Sequence, residues 1–378
     1  MQLCIALLLS LQVADVRVTD NESLARAMRA AKPGTRILIA PGTYRGGISA
    51  SIRGAKGKPV VIRADDPQNP PRIVGGGSGI HLTGSSYVEI YDLIIERATG
   101  NGINVDDGGA LDTPSHHIRL QNLIVRDLPA GNHDAIKLSG VVESEVSGCL
   151  IERWGGSGVD MVGCHKVMVM NSTFRKGGDS GVQAKGGSSD ISILECFFDD
   201  YGQRGVNAGG STGMQFFRWP GATPKDGLKY EAKNVRIAHS TFVGGIAPIA
   251  FVGVDGAAAE HNTIVNPGRW AIRILQETRD PGFVPSRNAL FSRNLIVFDS
   301  RNWSEGGVNI GSGTAPQTFT FKENFWFCHD NPSWSTPKLP SQESGGVYGK
   351  DPKLTADYKV QDDSPALAYG SRSRKPRR

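Results

Sequence analysis

Apolar and polar residues alternate along this chain in short bursts, and one five-residue burst recurs. It reads Gly79-Ile-His-Leu-Thr83, Gly102-Ile-Asn-Val-Asp106, Ala135-Ile-Lys-Leu-Ser139, Gly158-Val-Asp-Met-Val162, Gly181-Val-Gln-Ala-Lys185, Gly205-Val-Asn-Ala-Gly209, Pro248-Ile-Ala-Phe-Val252 and Ala271-Ile-Arg-Ile-Leu275. The starting residues are separated by 23, 33, 23, 23, 24, 43 and 23 positions. Positions two and four are apolar in every pentad, the alternation of a strand with one buried face. A second row of short apolar segments confirms the register, among them Cys149-Leu-Ile, Ser172-Thr-Phe, Cys196-Phe-Phe, Asn262-Thr-Ile and Asn294-Leu-Ile. One such coil has no partner for its apolar face, whereas a stack of coils buries a continuous core. The pattern therefore predicts an all-β chain, a single-stranded right-handed parallel β-helix with coils of about 23 residues. Phe174, Phe198 and Phe242 are expected to stack inside it, and Cys149 and Cys196, two coils apart at roughly 9.6 Å, lie too far apart for a disulfide.

The ends and the irregular intervals carry the remaining organisation. Residues 1–14 combine an apolar run with small Ala14 and read as a secretory signal peptide, which places the mature protein outside the cytoplasm, secreted or periplasmic. The stretch Asn21 to Ala31, stopped by Pro33-Gly34, reads as an amphipathic helix that caps the first coil, and the irregular segment from about Pro332 to Tyr369 as a shield for the other end. The β-helix domain spans 15–370 and the basic tail 371–378 is a disordered end. Long intervals place insertions at 106–116, 210–232 and 276–287, each just after a pentad strand, so all three are expected to frame one cleft.

Composition narrows the picture little. The 48 glycines fit many tight turns, and the four cysteines beyond the leader match neither a zinc pattern nor a disulfide scaffold. The net charge of +5 equals the five positives of Arg372, Arg374, Lys375, Arg377 and Arg378, so the body is near neutral and nothing points to nucleic acid. No segment after the leader is long and apolar enough to span a membrane, and a monomer is the default expectation.

Positions three and five of the pentads point away from the core. Position three reads His81, Asn104, Lys137, Asp160, Gln183, Asn207, Ala250 and Arg273; position five includes Asp106, Ser139 and Lys185. His133, Asp134, Asp179 and Arg204 precede the pentads. Any one of these is as readily a solvated surface residue, but as a set they crowd like and opposite charges within one coil height, a condition that perturbs pKa values.

The opening Ala30-Ala-Lys-Pro-Gly-Thr-Arg-Ile-Leu-Ile-Ala-Pro-Gly-Thr-Tyr44 with Gly57-Lys-Pro-Val-Val-Ile-Arg-Ala64, and the closing Asp351-Pro352 with Ser364-Pro-Ala366, resemble secreted β-helix proteins, among them the chondroitinase B-like alginate lyases and the pectate lyases. These motifs mark the fold more than the activity. The resemblance implies an acidic polysaccharide substrate and β-elimination with a lysine base. Lys185 with Arg204 matches the lysine and arginine of the first group, while Ala135-Ile-Lys-Leu-Ser-Gly140 resembles the lysine strand of a pectate lyase group and makes Lys137 the alternative base. His133, Asn207, Gln183, Asn104 and Arg273 are then substrate-binding candidates, and Asp106, Asp134, Asp160 and Asp179 are candidate carriers of Ca²⁺ or partners of the base. The family's calcium-binding glutamates near the lysine are missing, which puts metal dependence in doubt. Three other readings stand beside this one. Paired aspartates such as Asp134/Asp160 or Asp160/Asp179 would serve a glycoside hydrolase. Trp219, Trp270 and Trp303 would serve a non-catalytic carbohydrate-binding protein by stacking on sugars. A C5-epimerase shares the proton abstraction.

Overall fold

Each pentad forms a strand in the computed structural model, which describes residues 15–220 and 227–371. The strands Ile80–Thr83, Ile103–Asp106, Ile136–Ser139, Ser157–Val162, Ser180–Lys185, Arg204–Gly209, Ala247–Val252 and Ile272–Leu275 lie side by side in a 10-stranded parallel sheet. Its two outer strands, Ile48–Ala50 and Val308–Ile310, carry the same motif as Gly47-Ile-Ser-Ala-Ser51 and Gly307-Val-Asn-Ile-Gly311. Both lie outside the eight pentads read from the sequence, although positions two and four are apolar in each. Two further parallel sheets of 12 strands each complete a right-handed parallel β-helix. The expected leader 1–14 and the tail beyond Ser371 lie outside the described residues.

The register is the expected one, position three against position three: Asn104 with Lys137, Lys137 with Asp160, Asp160 with Gln183, Gln183 with Asn207 and Ala250 with Arg273. The pentad glycines have a packing reason. A Cβ on Gly158, Gly181 or Gly205 would come within 2.7 Å of the ring of Phe174, Phe198 or Phe242. Those rings stack with centroids 4.8 and 4.6 Å apart, so removing the Cβ from one strand makes room for the aromatic column of another. At the turn between the two long sheets, residues such as Asn122, Asn171, His239 and Arg293 adopt φ of 50–56°. The next residue points inward, and from Asn262 onward these form an amide ladder: Asn262 donates to Asn294 at 3.0 Å, Asn294 to Asn324 at 2.9 Å, and Asn324 to the Glu343 carboxylate at 2.7 Å. The four described cysteines are buried thiols outside any disulfide, and burial pushes Cys164 and Cys196 up to about 12.

A helix, Asn21–Ala30, is capped by Asp20, which accepts from the Ser23 amide, and buries Leu24 and Met28 in the core. The C-terminal segment does more than cover the far end. Glu343 binds the Trp326 indole there, but Ala366 packs on Leu295 and Phe325, and Ser371 reaches back to Thr263, so this segment runs along the outer face of the third sheet.

Candidate functional site

Three long connections leave the ends of pentad strands, at 107–114, 210–231 and 276–286. Two of them meet through Asp107 and Arg218, whose Nη2 donates to Asp107 Oδ1 at 3.0 Å while Nε bonds the other oxygen. Both side chains are almost fully buried, and the pair holds the middle connection across the strand ends. Glu231 provides a second fastening. Its carboxylate, inaccessible to solvent, accepts from the Gly186 and Thr212 amides at 2.9 Å each, from the Thr212 hydroxyl at 2.7 Å, and from the Thr278 hydroxyl. Four donors disperse a buried charge that would otherwise be costly. Neither fastening was found from the sequence, since Asp107, Arg218 and Glu231 lie in irregular segments outside the repeat.

These connections frame a cleft of about 730 Å³ lined by His81, Asp106, Lys137, Lys185, Thr212 and Arg218, among others. The pentad columns set its floor. Lys137 projects between Asp134, at 3.2 Å, and Asp160, with which it is in direct ionic contact; Lys185 Nζ lies 3.6 Å from the other Asp160 oxygen and donates to Gln183 Oε1 at 3.2 Å. Asp134 also accepts from the Ser157 amide at 2.7 Å. Burial opposes the Lys137 ammonium, but Asp160 and Asp134 outweigh it and its pKa is raised. The Asp134 carboxyl is also held above the usual carboxylate range, by burial and by the neighbouring Asp160. At the other end of the cleft, His81 Nε2 meets Asp106 Oδ2 at 2.6 Å, and Asp106 is fixed by the Asn104 amide at 2.9 Å and the Gly108 N–H at 3.0 Å.

The expected residues thus divide. Lys137, Lys185, Asp134, Asp160 and Gln183 come together, and Asp106 and Asn104 stand beside them. Arg204 does not meet Lys185: its guanidinium runs the other way along the stack, to Glu277 Oε1 at 2.7 Å. Arg273 lies beyond it, bonded through Nε to Asn309 at 3.1 Å. Asn207 is completely buried, with both amide atoms unpartnered among the described residues, so it offers no surface to a ligand. It belongs to a covered seam running from Asp160 through Gln183 to Ala250, where Gly209 and Gly210 pass close to Gln183 and Lys185. His133 is half-buried and does not line the cleft, and Asp179 opens into a separate groove with Trp154 and Lys176.

The four aspartates assigned to Ca²⁺ do not converge. Asp134 and Asp160 face an ammonium, Asp106 faces His81, and Asp179 is elsewhere; no group of three or more His, Cys, Asp or Glu among the described residues is placed to hold a metal. The residues present do not fit a calcium site, and no step is routed through one. The three tryptophans proposed for sugar stacking are packed against protein: Trp219 on Phe217, Trp303 on Phe298, and Trp270 under the guanidiniums of Arg269 and Arg273.

Comparisons with known proteins agree with this architecture. Residues 78–218 match a family profile described as a right handed beta helix region. A search of curated proteins finds no match. Among solved structures, an alginate lyase from Paenibacillus sp. str. FPU-7 is similar at 16% identity and a TM-score of 0.55, over 88% of this chain and 95% of that one. The pectate lyase Pel9A gives 16% identity and 0.55 over 81% and 79% of the two chains. A GH136 lacto-N-biosidase from Eubacterium ramulus gives 13% identity and 0.61 over 89% and 68%. The class defined is the right-handed parallel β-helix, a fold that these lyases and the lacto-N-biosidase share. At these identities the likeness is one of fold.

Proposed function

We propose that this protein is a polysaccharide lyase that cleaves uronic-acid-containing glycans by β-elimination, with Lys185 as the base. The observation that carries this reading is the pair of lysines facing one another across Asp160 on the floor of a framed cleft. The C5 proton of a uronate becomes removable once its carboxylate is neutralised by a cation or by hydrogen-bond donors. Lys137, kept protonated by two carboxylates, is suited to that task and unsuited to accept a proton. Lys185 shares one of those carboxylates at a longer distance and otherwise bonds the neutral Gln183, which makes it the better base. Its lone pair takes the C5 proton, the C–H electrons form the C4–C5 double bond, the C4–O4 bond breaks, and the leaving oxygen is protonated from solvent or a cleft acid. A glycan-degrading protein with a leader acts outside the cytoplasm, and no described helix is long and apolar enough to cross a membrane.

A hydrolase reading draws on the raised pKa of Asp134, which suits a general acid. Both Asp134 and Asp160 touch one ammonium, however, and two N–H···O contacts of up to ~3.2 Å keep their nearest oxygens within about 6.4 Å. That is short of the roughly 6.5–9.5 Å of an inverting pair. The closer retaining pair, at roughly 5–5.5 Å, needs a carboxylate that reaches the sugar, whereas Asp134 and Asp160 are 2% and 1% exposed and held on Lys137.

The test is incubation with pectate, alginate and glycosaminoglycans, following the ultraviolet absorbance of the unsaturated uronate. Lysis of at least one substrate is expected, with Lys185→Ala lowering kcat by roughly 10²-fold or more. New reducing ends without that absorbance, or full activity in Lys185→Ala, would overturn the reading. Repeating the assay with EDTA and with added Ca²⁺ reports metal dependence separately.

A further inference from the structure

Well beyond the lysines on the same sheet, two arginines crowd one tryptophan, and a third, Arg204, stands two strands away. Lys137 and Arg273 are separated by five strand-to-strand steps, about 24 Å at the usual spacing. The Arg269 guanidinium lies 4.3 Å from the centre of the Trp270 ring and that of Arg273 4.8 Å. Trp270 is buried, and its Nε1 has no hydrogen-bond partner among the described residues. Arg273 is half-buried and makes one hydrogen bond, to Asn309; burial and the neighbouring Arg204 push its pKa down. Of the three, only Arg204 has a carboxylate partner at contact distance among the described residues, the exposed Glu277.

This arrangement costs stability unless something offsets it. Like charges held near one another and partly desolvated are unfavourable, and an orphaned buried N–H adds to the penalty. Planar guanidinium forks are matched by planar or tetrahedral anions; here Arg204 and Arg273 stand on strands, and an indole braces Arg269 and Arg273. The site lies in line with the cleft, at a distance of several sugar units.

We infer that Arg269, Arg273 and Arg204 form a distal anion subsite that takes a carboxylate or sulfate of the same glycan chain whose other end occupies the cleft. This rests on the proposed function for the identity of the ligand, but not on any catalytic step. The site selects long anionic chains over short ones, with Glu277 as the resident counter-ion that the ligand displaces from Arg204.

The experiment measures Kd by calorimetry on Lys185→Ala protein, so that no substrate is consumed. Probes are trisaccharides and octasaccharides of galacturonate, mannuronate and chondroitin sulfate, with maltooctaose as the neutral control. At least one anionic octasaccharide is expected to bind tenfold or more tightly than its trisaccharide, and the advantage should shrink as salt rises. Arg269→Ala, at an exposed position whose loss leaves the fold intact, and Arg273→Gln should each lower the octasaccharide's affinity by roughly tenfold and leave the trisaccharide's unchanged. No length advantage in any anionic series, or one that survives both substitutions, would overturn the inference. Uronate against sulfate preference identifies the group bound. A length advantage without any ultraviolet-absorbing product from the unmutated protein would sink the lyase reading alone.

Discussion

Replacing Lys137 by Met tests the electrostatics of the cleft floor directly. Asp134 and Asp160 are 2% and 1% exposed, and the substitution leaves them facing one another without the cation between them. In the intact protein the Lys137 pKa is raised above its ordinary value. Its stabilisation is therefore complete below the unfolded-state pKa of roughly 10.4 and is lost as pH rises through the higher folded value. Breaking a buried pair by removing one partner costs roughly 3–5 kcal/mol, because the surviving charge is left uncompensated. The variant can relieve this only by protonation. A carboxyl whose folded pKa is raised contributes stability that is present below its unfolded value near ~3.9 and lost as pH climbs, so Lys137→Met should be weakest near neutrality. Guanidinium unfolding followed by circular dichroism should give a midpoint well below the unmutated protein's at about pH 7, with the gap narrowing by about pH 5. Adding Asp160→Asn to Lys137→Met should recover part of the loss at neutral pH, which a double-mutant cycle reads as coupling. A neutral-pH midpoint equal to that of the intact protein, or a gap that widens on acidification, would refute the assignment of Lys137 as the counter-ion of two buried carboxylates.

Other fastenings make equally definite predictions. Glu231→Ala removes the acceptor of four donors and leaves the Gly186 and Thr212 amides unpaired, at roughly 1–3 kcal/mol for each donor that stays buried. Limited proteolysis should then cut within 210–231 or 276–286 at sites protected in the intact protein, with the strands still resistant; an unchanged digestion pattern counts against the fastening. Phe198→Ala empties the middle of the Phe174–Phe198–Phe242 column and should cost about 3–5 kcal/mol, measured by the unfolding midpoint, and a loss below about 1 kcal/mol would contradict the packing. Glu343→Ala leaves the Asn324 amide and the Trp326 indole without their acceptor at the exposed end of the amide ladder. Hydrogen exchange should accelerate in the last coils while the first coils are unaffected, as expected where each repeat contacts only its neighbours.

How far the sequence reaches follows from where each constraint is written. The coil register is local, since a period of two within a strand and a return every 23 or so residues fix which side chain lies above which. From that alone Lys137 falls between Asp134 and Asp160, and the Phe column follows from the spacing of its members. The side of the sheet that a residue faces is also local, but whether that side meets solvent is not. Asn207 and Gln183 occupy the same outward column as Lys137, which predicts ligand-binding residues, yet connections absent from the repeat cover them. Arg204 fails for a related reason. Its place in the coil was right, but a flexible side chain chooses its partner by what stands within reach, and Glu277 arrives on a connection more than seventy residues further along. Asp107 and Arg218, 111 positions apart, pair through two irregular segments whose paths no periodicity encodes. The repeat therefore determines the row of groups available to the site, and the insertions determine which of them a ligand meets. Within the cleft, chemistry assigned from the columns alone is sound only for the residues that the connections leave open, Lys137, Lys185, His81 and Asp106 among them.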